Sequence, residues 1–231
     1  MNRIRSFCLG LALCCAAGCN LQSLVIRAQT EATEEVARER ALQLADPELV
    51  GPVIAESTVV NEGYLYYTPD YDKLLLSTIF ANVGYAALWL QVEAEEAEVA
   101  GDYAKVDHLN RRSGVLFARA LALSKRFLRL WDDGFDAAVQ GGDEKFQKWV
   151  DDNFYERKDA DMLLTVGTAY FAVMIQSEEG LAAAVDLPLA RVMVERSVEL
   201  DPTLSGGQGL MLLGSIECTI PESMGGRPKV G

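Results

Sequence analysis

Few side chains in this sequence could carry catalysis, and their spacing argues against it. The single histidine, His108, lies in a charged segment, and without a second imidazole the chain has no His-based zinc site and no Ser-His-Asp triad. The carboxylate pairs Asp132-Asp133 and Asp151-Asp152 are adjacent in sequence and diverge on a helix, so we interpret them as caps and solubilising groups. Cys218 lies in an apolar segment without a nearby histidine, which predicts a buried, inert thiol. We therefore predict no catalytic residue, no metal site and no cofactor.

Residues 204–208, with the sequence Leu-Ser-Gly-Gly-Gln, spell the signature loop of ABC-type ATPases. That loop acts on ATP only together with a Gly-x4-Gly-Lys-Ser/Thr loop, and the sequence contains none. The segment follows Asp201-Pro202 and precedes an apolar stretch. This position predicts a turn between two helices rather than a nucleotide site.

Tyrosines on either side of Pro69 are the best candidates for ligand binding. Aromatic rings supply apolar walls and phenolic hydroxyls supply specificity in small-molecule sites. The same rings would equally fill gaps between packed helices, and this alternative stays open. We name three candidate ligand contacts: Tyr64, Tyr67 and Tyr71.

The first twenty residues predict export and lipidation. Two arginines precede a short apolar core at residues 7–13, and small residues at 16–18 come directly before Cys19. The apolar run is too short for an ordinary membrane-spanning helix, so we predict a lipoprotein signal peptide over residues 1–18. A cysteine after small residues is the pattern of a bacterial lipobox, in which the cysteine thiol is acylated. We predict lipidation at Cys19, with an ordinary signal peptide as the alternative because Ala16 stands where leucine is commonest.

Composition limits the partners of the chain. Its 34 acidic and 21 basic residues give a formal net charge of −13, and loss of the signal peptide would remove two further arginines. An acidic surface repels phosphates, so we predict no nucleic acid partner and no attraction to anionic lipids. We find no later run of about 18 consecutive apolar residues, and we expect only the lipid anchor to touch the bilayer. Asn20 after the cysteine favours the outer membrane over the inner membrane.

The remaining chain reads as one all-α domain. We predict a lipid-anchored linker over residues 19–30 and a helical domain over residues 31–231. No apolar alternation with hairpin turns occurs, so we predict no sheet. The segment 74–92 is apolar on several faces, which predicts burial on most sides. The predicted helices are 31–44, 47–67 with a break at Gly51-Pro52, 71–100, 102–131, 144–150, 161–177, 189–200 and 207–218.

Internal repeats predict the architecture. Counting back from Pro202, as the closing proline of a 34-residue tetratricopeptide unit, places Ala190, Val194 and Ser197 at the small, large and small positions of a second helix. Gly167 would be the close-packing residue of the first helix. We predict a tetratricopeptide-like array of antiparallel helix pairs, with chance similarity between helices as the alternative. Degenerate copies of the second-helix signature lie at residues 117–121 and 41–44.

A more specific resemblance lies in the C-terminal half. Residues 189–202, Leu-Ala-Arg-Val-Met-Val-Glu-Arg-Ser-Val-Glu-Leu-Asp-Pro, are followed by a Leu-Gly helix and then by Met-Gly-Gly-Arg-Pro at 224–228. Together with the lipobox, this order resembles the TatT family, the lipoprotein T-components associated with TRAP (tripartite ATP-independent periplasmic) transporters.

The resemblance implies a non-enzymatic, lipid-anchored protein that faces the periplasm. Members look like all-α, tetratricopeptide-like homotrimers with a central pore and ligand-accommodating openings. They are thought to bind a periplasmic solute-binding protein and a small apolar or organic-acid ligand. A general cell-envelope scaffold without a ligand is the alternative function. The family continues past the Gly-Gly turn with further helices, so we also expect this chain to lack its final helices.

Overall fold

The computed structural model describes residues 21–32, 46–176 and 187–219. Within these ranges the regular structure is helical and includes no strand, which confirms the all-α prediction. The predicted signal peptide, Cys19, most of the predicted helix 31–44 and the segment 224–228 lie outside the described residues. The described helices are α1 (residues 21–32), α2 (Pro47–Tyr67), α3 (Asp72–Tyr85), a π-helical segment (Ala86–Gln91), α4 (Val92–Val99), α5 (Tyr103–Trp131), α6 (Phe135–Gln140), α7 (Asp143–Asn153), α8 (Asp159–Gln176), α9 (Leu187–Leu200), a 3-10 turn (Leu204–Gly206) and α10 (Gln208–Thr219).

Helix α2 begins where the sequence predicts. The Asp46 carboxylate accepts hydrogen bonds from two backbone N–H groups of the first turn at 3.1 and 3.2 Å, and Pro47 occupies the first helical position. The predicted break at Gly51-Pro52 is wrong, because the helix continues through both residues. A proline this close to the helix start removes one hydrogen bond, and the Trp89 ring packed directly on Gly51 holds the turn in place.

The centre of the fold is one continuous helix, Asp72–Val99, made of α3, the π-helical segment and α4. Its inner side is fully buried at Leu75 and Ile79. Within residues 74–92 only Phe80, Leu88 and Val92 are exposed, so burial on most sides is confirmed and one outer side stays open. Among the described residues this is the one helix long and apolar enough to cross a membrane, with a mean hydropathy of 1.4 in a window that is 44% buried inside the protein. A helix that supplies a protein core meets the same criteria.

The long helices pack in chain order. Helix α2 packs on α3, α3 on α5, α5 on α8, α8 on α9 and α9 on α10, and α3 also contacts α8. Helix α7 packs on α9, and α6 packs on α7. Packing of each long helix on the next one along the chain is the pattern that stacked helix pairs produce. The assignment of these pairs to tetratricopeptide-like units stays a prediction.

The pair α8 and α9 shows the contacts that the sequence signature predicts. Ala190, Val194 and Ser197 are all buried. A Cβ atom placed on Gly167 would come within 2.7 Å of Val194 Cγ2, so only glycine allows this approach of the two helices. The Ser197 hydroxyl donates a hydrogen bond of 2.7 Å to the Ala160 carbonyl oxygen. The predicted small, large and small positions are confirmed as contacts between these two helices.

Candidate functional site

The candidate site surrounds the junction where α2 turns into α3. Thr68 ends α2, because its backbone N–H and its hydroxyl both donate to the Tyr64 carbonyl oxygen, at 3.0 and 2.9 Å. Pro69 follows, and its carbonyl oxygen accepts a hydrogen bond from the Arg126 guanidinium of α5. The Arg27 guanidinium of α1 binds the Asp70 carboxylate at 2.8 Å. Three helices therefore fix this junction from different sides.

The structure places the three candidate tyrosines in different surroundings. Tyr71 is buried, its hydroxyl donates to the Arg27 carbonyl oxygen at 3.4 Å, and the Arg27 guanidinium lies 4.7 Å from the ring centre. Tyr64 is half-buried and packs against the core. Tyr67 is exposed and meets Tyr66 edge to face, with ring centres 5.1 Å apart. Ligand binding by Tyr64, Tyr67 and Tyr71 stays a prediction.

A shallow depression of about 340 Å³ lies beside the same junction. One side is apolar and consists of buried Phe127, half-buried Trp131 and exposed Leu130 of α5. Two carboxylates, Asp70 and Asp72, form the other side. Because Asp70 is already paired with Arg27, Asp72 would supply most of the repulsion against an anion, and the apolar side favours an apolar ligand over an organic acid. None of the three candidate tyrosines lines it.

The wall residue Trp131 is held in place by the α7 end. Its indole N–H donates to the Asn153 carbonyl oxygen at 3.3 Å, and its ring stacks on buried Phe154 with ring centres 5.2 Å apart. Next to it, Asp132 accepts hydrogen bonds from the Trp149 indole N–H at 2.6 Å and from the Gly134 backbone N–H at 2.9 Å. Asp132 therefore has a structural role, as the capping interpretation predicts.

A second candidate surface is the outer face of α2. Helix α2 packs on α3 through its inner side, where Gly51, Thr58 and Leu65 are buried. A helix that is apolar on both sides is normally covered on both sides. The exposed side of α2 carries an apolar stripe, which we call the α2 outer face. Glu56 lies within this stripe and Glu48 lies at its N-terminal edge. The α2 outer face consists of exposed Leu49, Pro52, Val53, Val59, Val60, Gly63, Tyr66 and Tyr67.

Comparison with protein families matches residues 43–231 to the family described as TRAP transporter T-component. The match spans every helix from α2 to α10 and covers more than half of the chain. The chain belongs to the TRAP transporter T-component family. The resemblance seen in the sequence is confirmed. Comparison with curated proteins gives no match.

Membership in the T-component family places this protein in a TRAP transport system at the bacterial cell envelope. The family is one of transporter components and not a family of enzymes. In this T-component the candidate histidine lies at the surface, and the second carboxylate pair takes part in contacts within α7. His108 is exposed, the Asp151 carboxylate accepts from the Gln147 amide at 3.1 Å, and the Asp152 carboxylate pairs with Lys148 at 2.6 Å. Across residues 21–32, 46–176 and 187–219, no three His, Cys, Asp or Glu side chains are grouped to hold a metal ion.

The prediction for Cys218 in the T-component is wrong. Cys218 is exposed, because α10 turns the preceding residues Ile216 and Glu217 toward the protein instead. Buried Glu217 pairs with Arg191 of α9 at 3.1 Å. The apolar composition of this helix predicted burial, but it did not indicate which side of the helix faces α9.

The turn prediction for residues 204–208 is confirmed. They connect α9 to α10 through a 3-10 turn and end at the first residue of α10. Gly207 adopts a φ of +87°, a left-handed conformation that favours glycine. The glycines of this T-component loop therefore serve a tight reversal of the chain.

Proposed function

We propose that this T-component is a lipid-anchored, periplasm-facing binding and assembly protein of a TRAP transport system, and that it catalyses no bond chemistry. Acylated Cys19 anchors it, with the outer membrane favoured. It binds the periplasmic solute-binding protein of the system as a homotrimer with a central pore. The family match over residues 43–231 carries this proposal, and the lipobox pattern at residues 16–19 supports the anchor.

The α2 outer face supports self-association. Interfaces between permanently associated copies are more apolar than transient interfaces and are depleted of charge. The α2 outer face is mostly apolar, with Val53 and Val59 exposed, and its carboxylates are Glu56 and, at the N-terminal edge, Glu48. We assign this face to the contact between copies, and we assign the charged surfaces elsewhere to the solute-binding protein.

The depression beside the α2–α3 junction supports a small apolar ligand. Phe127, Leu130 and Trp131 would contact such a ligand, while Asp70 and Asp72 would accept hydrogen bonds from a hydroxyl or amine group on it. The two carboxylates make this depression a poor site for an organic acid. If an organic acid is the ligand, we place it elsewhere in the assembly.

Binding to the solute-binding protein of the same transport system tests the proposed function. We expect the mature chain, made without its lipid as Cys19→Ser, to bind that protein saturably in calorimetric titration. The interaction should weaken as salt rises, because the acidic T-component would meet a complementary surface. A solute-binding protein from an unrelated system is the control. Equal binding to both proteins, or to neither, would favour the alternative of a general envelope scaffold.

Cell fractionation tests the anchor separately. Cys19→Ser should move the protein from the membrane fraction to the soluble periplasmic fraction. Retention of that variant in membranes would show that lipidation of Cys19 is not what holds it there.

A further inference from the structure

Helix α1 turns its apolar side away from the protein. Ile26 points inward and joins the core at 9% exposure, with Ser23, Arg27 and Thr30 on the same side. At 3.6 residues per turn, the five apolar residues of the opposite side fall within an arc of about 100°. We call this side the α1 apolar face. It consists of exposed Leu21, Leu24, Val25, Ala28 and Ala32.

Specific contacts fix which way α1 faces. The Arg27 guanidinium binds the Asp70 carboxylate at 2.8 Å, and the Arg27 carbonyl oxygen accepts a hydrogen bond of 3.4 Å from the Tyr71 hydroxyl. One turn later, Glu31 lies 3.8 Å from the Lys73 ammonium group. These contacts hold α1 on the α2–α3 junction. The α1 apolar face therefore has one orientation relative to the rest of the protein.

The chain connects this face directly to the proposed anchor. Cys19 lies two residues before Leu21. Two residues of fully extended backbone span at most about 7 Å. If Cys19 carries lipid, its backbone, from which the lipid extends into the leaflet, lies within that distance of the first turn of α1.

The charges around α1 suit a neutral lipid surface. Arg27 and Lys73 lie in ion pairs with Asp70 and Glu31, so the local charge is balanced within the protein. The chain as a whole is acidic, with a net charge of −13, and is not attracted to anionic lipids. Contact with the membrane at this end would therefore depend on apolar side chains, as it does for helices that lie in the bilayer interface.

We infer that α1 lies on the lipid leaflet with the α1 apolar face turned toward the acyl chains. The T-component is then held close to the bilayer in one orientation, with the α2–α3 junction nearest to the membrane. It does not swing on a free tether. This inference rests on the proposed lipidation of Cys19 and adds a second membrane contact to it.

Quenching by lipid tests the contact on the lipidated, mature protein. Because Cys218 is exposed, the background carries Cys218→Ser, and a single new cysteine is placed at Ala28→Cys or, as a control, at Val115→Cys. Val115 is also exposed but lies on α5, about 16 Å along the helix from Arg126 at the junction. Each cysteine receives an environment-sensitive fluorophore, and the proteins are reconstituted in phosphatidylcholine vesicles with or without brominated acyl chains.

We expect the label at position 28 to emit at shorter wavelength in vesicles and to lose intensity when the acyl chains are brominated. The label at position 115 should change in neither respect. Adding Leu24→Glu and Val25→Glu should abolish the quenching at position 28, while the lipid keeps the protein on the vesicles. Both residues are exposed, so these changes leave the fold intact.

Intact mass measurement separates the two ways of failing. Acylated protein whose label at position 28 is not quenched would overturn the α1 contact and leave the anchor standing. Protein without an acyl group on Cys19 would overturn both the anchor and the contact. The label at position 28 could also be shielded from water without vesicles and stay unquenched by brominated lipid. A second copy would then cover the α1 apolar face, and this result also overturns the inference.

Discussion

At the scale of single residues, exposed arginines set the acid response of two carboxylates. The Arg157 guanidinium donates to the Asp201 carboxylate at 2.9 Å, and this hydrogen bond lowers the pKa of Asp201 below its ordinary value of 3.8. The Arg129 guanidinium acts in the same way on the pKa of Asp136. In the unfolded chain both carboxyl groups return to their ordinary pKa, so the unfolded state takes up these protons first as the pH falls.

Linkage then fixes the sign of the pH effect. The stability that the lowered pKa of Asp201 contributes is present above about pH 4 and is lost as the pH falls through the folded pKa. We expect Arg157→Gln to raise the folded pKa of Asp201 toward 3.8 and to remove this part of the acid sensitivity. Carboxyl chemical shifts followed by NMR titration measure the change.

The Asp136 carboxyl is the internal control for that titration. Its pKa is lowered by Arg129 and should not move in the Arg157→Gln variant. If the pKa of Asp201 stays low in that variant, its hydrogen bonds from Thr203 would be the main cause instead.

Single buried contacts were predictable where the sequence carries a local signature. The small, large and small positions at Ala190, Val194 and Ser197 follow from repeat spacing, and Gly167 follows from the close approach that such helix pairs need. The exposure of Cys218 did not follow, because an almost wholly apolar helix does not reveal from its own sequence which side meets its neighbour. Burial of that residue depends on the partner helix α9 and not on local composition.

At the scale of helices, Gly51 and Trp89 join α2 to the π-helical segment. The Trp89 indole N–H donates to the Pro47 carbonyl oxygen at 3.0 Å, and its ring lies directly on the Gly51 Cα. We expect Gly51→Ala to cost about 1–3 kcal/mol, because the new methyl group must displace the ring. In a Trp89→Ala background the same change should instead stabilise α2 by roughly 0.5–1 kcal/mol, the usual gain of alanine over glycine in a helix. Urea denaturation of the four proteins gives the coupling.

Gly114→Ala on α5 is the matched control, because Gly63 of α2 lies in the α2 outer face. Nothing lies within 4 Å of a Cβ atom built there, so we expect a small stabilisation in both backgrounds. If the changes in the free energy of unfolding caused by Gly51→Ala and Trp89→Ala simply add in the double variant, the indole does not hold this end of α2.

Helix existence was predictable, but irregular helix features were not. Capping at Asp46 and the breaks at Pro69 and Gly101 are local signals, and they placed α2, the long central helix and α5 within a few residues. The π-helical segment Ala86–Gln91 has no local sequence signal, and its Trp89 is held by a contact with Pro47, 42 residues away. Helix α1 was missed for the same reason, since it is held by contacts with Asp70 and Tyr71, more than 40 residues away.

At the scale of the whole molecule, two exposed apolar surfaces lie on helices that reach the α2–α3 junction. Helix α1 lies on the α2–α3 junction with the α1 apolar face turned outward, and the α2 outer face runs toward the same junction and ends at Tyr66 and Tyr67. Two such surfaces suit two different occupants, the lipid leaflet and a second copy. Copies that associate through the α2 outer face would then lie side by side on the membrane. Each copy would contact the leaflet through its own α1 apolar face.

The α2 outer face predicts how the assembly can be separated into single copies. Val53 and Val60 are exposed near the middle of this face. We expect the double change Val53→Glu and Val60→Glu to convert the proposed trimer to monomers, because carboxylates buried in an apolar interface lose several kcal/mol of hydration without gaining partners. Val115→Glu, on the exposed side of α5, should leave the trimer intact. Sedimentation velocity measures both outcomes, and circular dichroism should show unchanged helix content. A double variant that stays trimeric would place the contact between copies on another surface, and a wild-type monomer would contradict self-association itself.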